Sequence, residues 1–132
     1  MTEKIKKALL IDDDQLVCRV VEKILVKHGI QVVVTSEGAA ANSVIINDGE
    51  NLTIAIIDLV LPDGITGWDI IDFARKNPTT AKMPIVIMTG AVLSDEEEQK
   101  FKNKDCTIIR KKDFNIEAFK ETIDRLIGAN KQ

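Results

Sequence analysis

Four apolar runs in this chain each stop at residues able to handle metal or phosphate. Ala8-Leu9-Leu10-Ile11 stops at Asp12-Asp13-Asp14, and Leu52 to Ile57 stops at Asp58. Ile85 to Met88 stops at Thr89, and Thr107 to Arg110 runs into Lys111-Lys112. Runs of this length read as buried strands, and an open parallel sheet binds its ligands beyond the carboxyl ends of its strands. Carboxylates, a hydroxyl and an ammonium would then meet on one edge. Like charges so close need a partner. Magnesium suits them, because it takes hard oxygen ligands from one or two carboxylates, water and a phosphate. A lysine pairs a phosphate oxygen as a point charge, and a threonine hydroxyl can donate to another. Asp58 is the acid placed to attack phosphorus and form an aspartyl phosphate. The metal would neutralise charge during such a transfer.

The elements that must position these residues follow from periodicity. Gln15 to Lys27 carries apolar side chains at Leu16, Val17, Val20, Val21, Ile24 and Leu25, which is helical spacing. His28-Gly29 closes that helix. Gln31 to Thr35 is a β-branched run, and Glu37 to Asn47 is helical, with Ala40, Ala41, Val44 and Ile45 on one side. After Asp58, the stretch Leu61-Pro62-Asp63-Gly64 reads as a loop, Trp68 to Lys76 as a helix, and Asn77-Pro78 as its end. Ser94 before Asp95, Glu96 and Glu97 marks another helix start. Asn115 to Ile127 is the last helix, with Ile116, Phe119, Ile123, Leu126 and Ile127 facing inward. Five strands alternate with five helices, and apolar strands of this kind predict a parallel sheet covered on both faces.

Composition agrees with one compact unit. The chain has 132 residues, 45% hydrophobic and 30% charged, enough for a core and a soluble surface. Lys and Arg number 18 against 21 Asp and Glu, a net charge of −3, which disfavours direct nucleic-acid binding. Cys18 and Cys106 form no CxxC, so neither a zinc site nor a disulfide framework is expected. No signal peptide or membrane span is read, and the expectation is one cytoplasmic domain over 1–132, core about 6–127, without an output domain.

The chain resembles the receiver domains of two-component response regulators. The resemblance rests on Leu9-Leu10-Ile11-Asp12-Asp13-Asp14, Ile56-Ile57-Asp58-Leu59-Val60-Leu61-Pro62, Ile85-Val86-Ile87-Met88-Thr89-Gly90 and Ile108-Ile109-Arg110-Lys111, in that order. It implies an α/β, flavodoxin-like (βα)5 three-layer sandwich with strand order 2-1-3-4-5. It also implies that Asp58 is the phosphoacceptor, that Mg2+ is held by Asp13 directly, Asp12 through water, Asp58 and the carbonyl of Val60, and that Thr89 and Lys111 contact the phosphoryl group. The implied partners are a histidine kinase or histidine phosphotransfer protein, and an effector protein on the face of the fourth helix, fifth strand and fifth helix.

The pattern is altered in four places. Lys112-Asp113 follow Lys111 where the family has proline, which leaves two candidate lysines; Lys111 stands 22 residues after Thr89, the family interval. Gly67 lies nine residues after Asp58 rather than eight. Ile108 replaces an aromatic residue, and Asp105-Cys106 replace a Gly-Ala before the last strand. An aspartate-nucleophile phosphatase of the haloacid-dehalogenase type is a second reading, but it needs a second acid where Val60 stands. A degenerate receiver that binds partners without phosphate is a third, favoured by the missing proline and aromatic and opposed by the intact acids. Dinucleotide binding lacks its glycine-rich loop. Beside these, Asp12 to Asp14 could be a solvated turn and cap, and Lys112 a surface charge. His28 fits a helix end, Cys18 a small helix position, and Trp68 a packed or half-exposed one.

Overall fold

The computed structural model describes residues 5–128; Met1–Lys4 and Ala129–Gln132 lie outside the described residues. The element order is β1 (Lys6–Ile11), α1 (Gln15–Lys27), β2 (Ile30–Thr35), α2 (Gly38–Asp48), β3 (Ile54–Ile57), α3 (Gly67–Lys76), β4 (Ile85–Thr89), α4 (Asp95–Asn103), β5 (Cys106–Arg110) and α5 (Ile116–Gly128), with single 3-10 turns at Gly49–Asn51 and Lys111–Asp113. All pairings are parallel and the sheet order is β2-β1-β3-β4-β5. This is the flavodoxin-like three-layer α/β arrangement expected above.

Strand alternation builds two cores. Leu9, Ile11, Ala55, Ile57, Ile85 and Ile87 point to the side packed by α2, α3 and α4, through Ala41, Ile45, Ile70, Ile71 and Phe101. Ala8, Leu10, Ile54, Ile56, Val86 and Met88 point to the opposite side, onto Val21, Leu25, Phe119, Ile123 and Ile127 of α1 and α5. β3 and β4 are buried at every position, whereas the edge strands β2 and β5 are only partly covered. Burial on both faces is what a near-continuous apolar strand reports.

Helix ends follow the capping chemistry of their sequences. Thr66 with Asp69, and Ser94 with Glu97, form reciprocal capping boxes at α3 and α4. Gly29 takes φ +75° past the end of α1, where a left-handed residue closes the last turn. Arg75 ties the connection into β4 together: its guanidinium donates to the carbonyls of Met83 (2.7 Å), Lys104 (3.0 Å), Thr80 and Ala81 (3.3 Å each).

Several expectations need correction. Leu16 and Val20 lie on the helical stripe of α1, yet they are 71% and 42% exposed. The apolar stripe of α1 is wider than the sheet face it covers. Ile116 and Ala40 are likewise exposed, while Leu52 is buried at the exit of a 3-10 turn rather than in a strand. β1 begins at Lys6, two residues earlier than its apolar run, because the ladder to β2 pairs Lys6 with Ile30.

Asp105 adopts φ +59° just after α4, in the position that a glycine commonly takes. A side chain there strains the backbone, less for Asp than for most residues. Asp105→Gly is expected to stabilise the protein by about 0.5–1 kcal/mol, seen as a higher urea midpoint with unchanged slope. A lower midpoint would contradict the strain argument.

Candidate functional site

The strand order reverses between β1 and β3, so the first residues beyond these two strands sit side by side at the switch point. The ladder continues one step past the strands: the Asp58 amide donates to the Ile11 carbonyl at 2.8 Å, and the Asp12 amide to the Thr35 carbonyl at 3.1 Å. Two carboxylates are thereby forced together. Asp12 is 3% exposed and Asp58 6% exposed. With the exposed Asp13 they bring carboxylate oxygens within 4.8 Å of one another. Asp14, the last of the acidic run, has a separate task as the N-cap of α1. Its Oδ1 accepts from the amides of Leu16 (3.0 Å) and Val17 (3.3 Å).

One ammonium answers the buried pair. Lys111 Nζ lies 2.9 Å from Asp12 Oδ2 and 3.2 Å from Asp58 Oδ2. The remaining oxygens are also engaged: Asp12 Oδ1 accepts from the Asp14 amide (2.9 Å), and Asp58 Oδ1 from the Val60 amide (3.4 Å). Burial and the neighbouring Asp12 charge push the Asp58 carboxyl above the usual carboxylate range, against the opposing pull of Lys111. Burial lowers the Lys111 ammonium, but its hydrogen bond to Asp12 and the fields of both aspartates outweigh that, and the net shift is upward. The Cys18 Sγ–H donates to the Asp12 carbonyl at 3.3 Å, and burial with the charge of Asp12 pushes this thiol up to about 11. Cys18 is therefore a protonated packing residue.

The carboxylates open into a cleft of about 350 Å3 lined by Asp13, Asp58, Val60, Leu61, Pro62, Gly90, Ala91 and Lys111. Behind Asp58 stands Gly67, where a Cβ would lie 2.5 Å from the Asp58 carbonyl oxygen. The altered loop length thus still lets α3 start directly against β3. Thr89 ends β4 on the same sheet edge but is buried and does not line the cleft, its Oγ1 accepting from the Ala91 amide at 3.0 Å. Of the two candidate lysines, Lys111 reaches the aspartates and Lys112 is exposed. A 3-10 turn over Lys111–Asp113 makes the corner, with the Phe114 amide donating to the Lys111 carbonyl at 3.2 Å. Ile108 packs partly buried in the core beside β4.

Two features beside the site are not foreseen from sequence. Trp68 stacks on the buried Phe101, ring centroids 3.6 Å apart, joining α3 to α4. Asp63, three residues beyond Val60, binds the first amides of α2. Its only sequence signal is a carboxylate in a turn, which many loops carry.

Comparison with known proteins decides the family. The response regulator receiver domain family matches residues 8–124. The chain belongs to this family. It is 33% identical over 94 residues to the transcriptional regulatory protein GltR of Pseudomonas aeruginosa, covering 71% of this chain and 37% of that protein. It is 30% identical over 93 residues to the chemotaxis protein CheV1 of Helicobacter pylori, covering 68% and 29%. The chain thus spans well under half the length of these relatives. Among solved structures, a CheY-like receiver domain protein from Methanospirillum hungatei superposes with a TM-score of 0.82 at 24% identity, covering 95% of each chain. Chemotaxis protein CheY4 of Vibrio cholerae gives 0.76 at 24%, covering 92% and 98%. At that identity the likeness speaks for the receiver fold.

The donor set fits a hard divalent cation. It offers three convergent carboxylates, no thiolate or imidazole among them, beside an open cleft. Among the described residues no helix is long and apolar enough to cross a membrane.

The crowding of Asp58 has a stability consequence. Its carboxyl titrates higher in the folded than in the unfolded receiver, so it favours folding below the ordinary carboxylate pKa of about 3.9. That contribution is lost as pH rises through the raised folded value. Asp58→Asn is therefore expected to stabilise the protein at pH 7 by about 1 kcal/mol, with the gain shrinking toward pH 4. Urea titrations of both proteins at the two pH values check this, and a destabilised variant at pH 7 would refute it.

Proposed function

We propose that this receiver accepts a phosphoryl group on Asp58, in a Mg2+-dependent reaction, from a sensor histidine kinase or a histidine phosphotransfer protein. The observation that carries this reading is the meeting of Asp12, Asp13 and Asp58 with the Lys111 ammonium at one sheet edge. A carboxylate oxygen of Asp58 attacks phosphorus, the phosphorus–nitrogen bond of the donor phosphohistidine breaks, and an acyl phosphate forms. Asp12, Asp13, Asp58 and the Val60 carbonyl would hold the ion, which supplies charge neutralisation on the transferring oxygens. Lys111 exchanges carboxylate partners for a phosphoryl oxygen, and Thr89 turns its hydroxyl from the Ala91 amide toward another. Hydrolysis by water later returns Asp58 and phosphate, so the only chemistry is on the domain's own side chain.

The product adds about −1.5 to −2 charge at pH 7 where one lysine already serves two carboxylates. The response we infer is a population shift in the connection after Thr89, in α4 and in the β5 end. The α4-β5-α5 face then presents a changed surface to an effector protein. Residues 6–127 act in this reading as one cytoplasmic signalling unit, without direct contact with nucleic acid or membrane.

Intact mass after treatment with acetyl phosphate and Mg2+ tests the reading. One gain of about 80 Da is expected, absent without Mg2+ and absent in Asp58→Asn. Lys111→Ala is expected to slow the gain by about a hundredfold, and Lys112→Ala to leave it near the wild-type rate. Phosphorylation that survives Asp58→Asn would overturn the assignment, and steady turnover of a general phosphate ester would favour a phosphatase instead.

A further inference from the structure

The acidic cleft is bordered on one side by the loop that leads from β3 to α3, which Leu59, Leu61 and Ile65 root in the core while the residues between them face outward. Leu59 and Leu61 are buried, but Val60, Pro62, Asp63 and Gly64 are exposed. Its two ends are joined where the Gly67 amide donates to the Leu59 carbonyl at 3.0 Å. Its far side is fixed by Asp63. The Oδ1 of Asp63 accepts from the Gly38 amide at 3.1 Å and the Oδ2 from the Ala39 amide at 3.0 Å, across 25 and 24 residues of sequence. The Ile65 amide adds a longer contact to Oδ1 at 3.4 Å.

These bonds are built into both partners. Glu37, the residue in the N-cap position of α2, makes no side-chain cap of its own, so the first amides of the helix are left for Asp63. Gly38 lets the loop lie flush on the helix, since a Cβ there would stand 2.5 Å from the Ile65 side chain. A carboxylate at a helix start gains charge-assisted hydrogen bonds and a favourable dipole. Accordingly the Ala39 and Gly38 amides hold the Asp63 carboxyl below the usual range.

We propose that Asp63 is a positioning residue for the phosphoryl site. By clamping the β3–α3 loop to the start of α2, it holds Val60, whose amide donates to Asp58 and whose carbonyl would serve the ion in the reading above. The inference rests on the functional reading above. A residue that supports a ligand from outside the first layer commonly changes metal affinity by 10–100-fold.

The competing explanation is that Asp63 merely caps α2, and two variants separate them. Asp63→Ala removes cap and clamp together. Asp63→Ala with Glu37→Asp gives α2 a cap of its own while leaving the loop unclamped. Mg2+ affinity is read by Trp68 fluorescence, stability by urea, and loop order by hydrogen exchange of the Val60 amide without metal. Asp63→Ala is expected to weaken Mg2+ binding by about tenfold or more and to speed exchange at Val60. Asp63→Asn, which keeps one acceptor oxygen, should fall between. The double variant should recover stability but not Mg2+ affinity. Recovery of both together, or wild-type affinity in Asp63→Ala, would overturn the positioning role alone. A wild-type protein that binds no Mg2+ and gains no phosphoryl mass would overturn the functional reading and this inference with it.

Discussion

A single ammonium shared between two buried carboxylates is the interaction on which the rest of the site depends. Asp12 and Asp58 are brought together because β1 and β3 are neighbours and both strands end there. Without Lys111 within 3.2 Å of both, the pair would have to take up a proton or a cation. The arrangement is thus poised: charge-compensated, but by a group able to leave for a better anion. The sheet supplies the compulsion and the lysine supplies the release.

The same constraint explains why the scaffold around the site is stiff on one side and soft on the other. β1, β3 and β4 are packed on both faces, so the strand ends cannot move apart to relieve the crowding. The loops beyond them alternate buried leucines with exposed residues, and are tied by the Gly67 contact, the Thr89–Ala91 turn and the Asp63 clamp among others. A rigid charge cluster among adjustable loops suits a switch, because any added charge is accommodated in the loops and the elements they lead into.

Most of this architecture is legible in the sequence because it depends on periodicity and on what ends each strand. The five strands, the five helices, the Ser94 start of α4 and the gathering of Asp12, Asp13, Asp58 and a lysine at the strand ends follow from local patterns, whereas the Thr66–Asp69 capping box is seen only in the structure. The preference for Lys111 over Lys112 rests on the family interval, and the geometry agrees: the first residue after β5 reaches both aspartates. What stays illegible depends on tertiary fit. The exposure of Leu16 and Val20 reflects how much of α1 the sheet can cover. The left-handed Asp105 shows how a turn without glycine can still be closed. Asp63 is silent because its partners lie 24 and 25 residues away at the start of α2. The Trp68–Phe101 stack likewise needs the relative placement of α3 and α4, which no local pattern contains.

The altered corner after β5 bears on how a signal would leave the site. Lys111 is the first residue beyond β5, and the 3-10 turn that follows leads directly to Phe114 and α5. Phe114 tilts against Phe119, 5.5 Å between centroids, so this turn is linked to the core under α5. On the other side Arg110, the last residue of β5, pairs with Glu98 of α4. In the proposed reaction, a lysine drawn from Asp12 toward a phosphoryl group would pull on a backbone that connects both α4 and α5. The aromatic partner missing at Ile108 removes one means of transmitting that pull through a buried side chain. Under the proposed function, transmission would then run through the chain itself, from Lys111 into its two flanking elements.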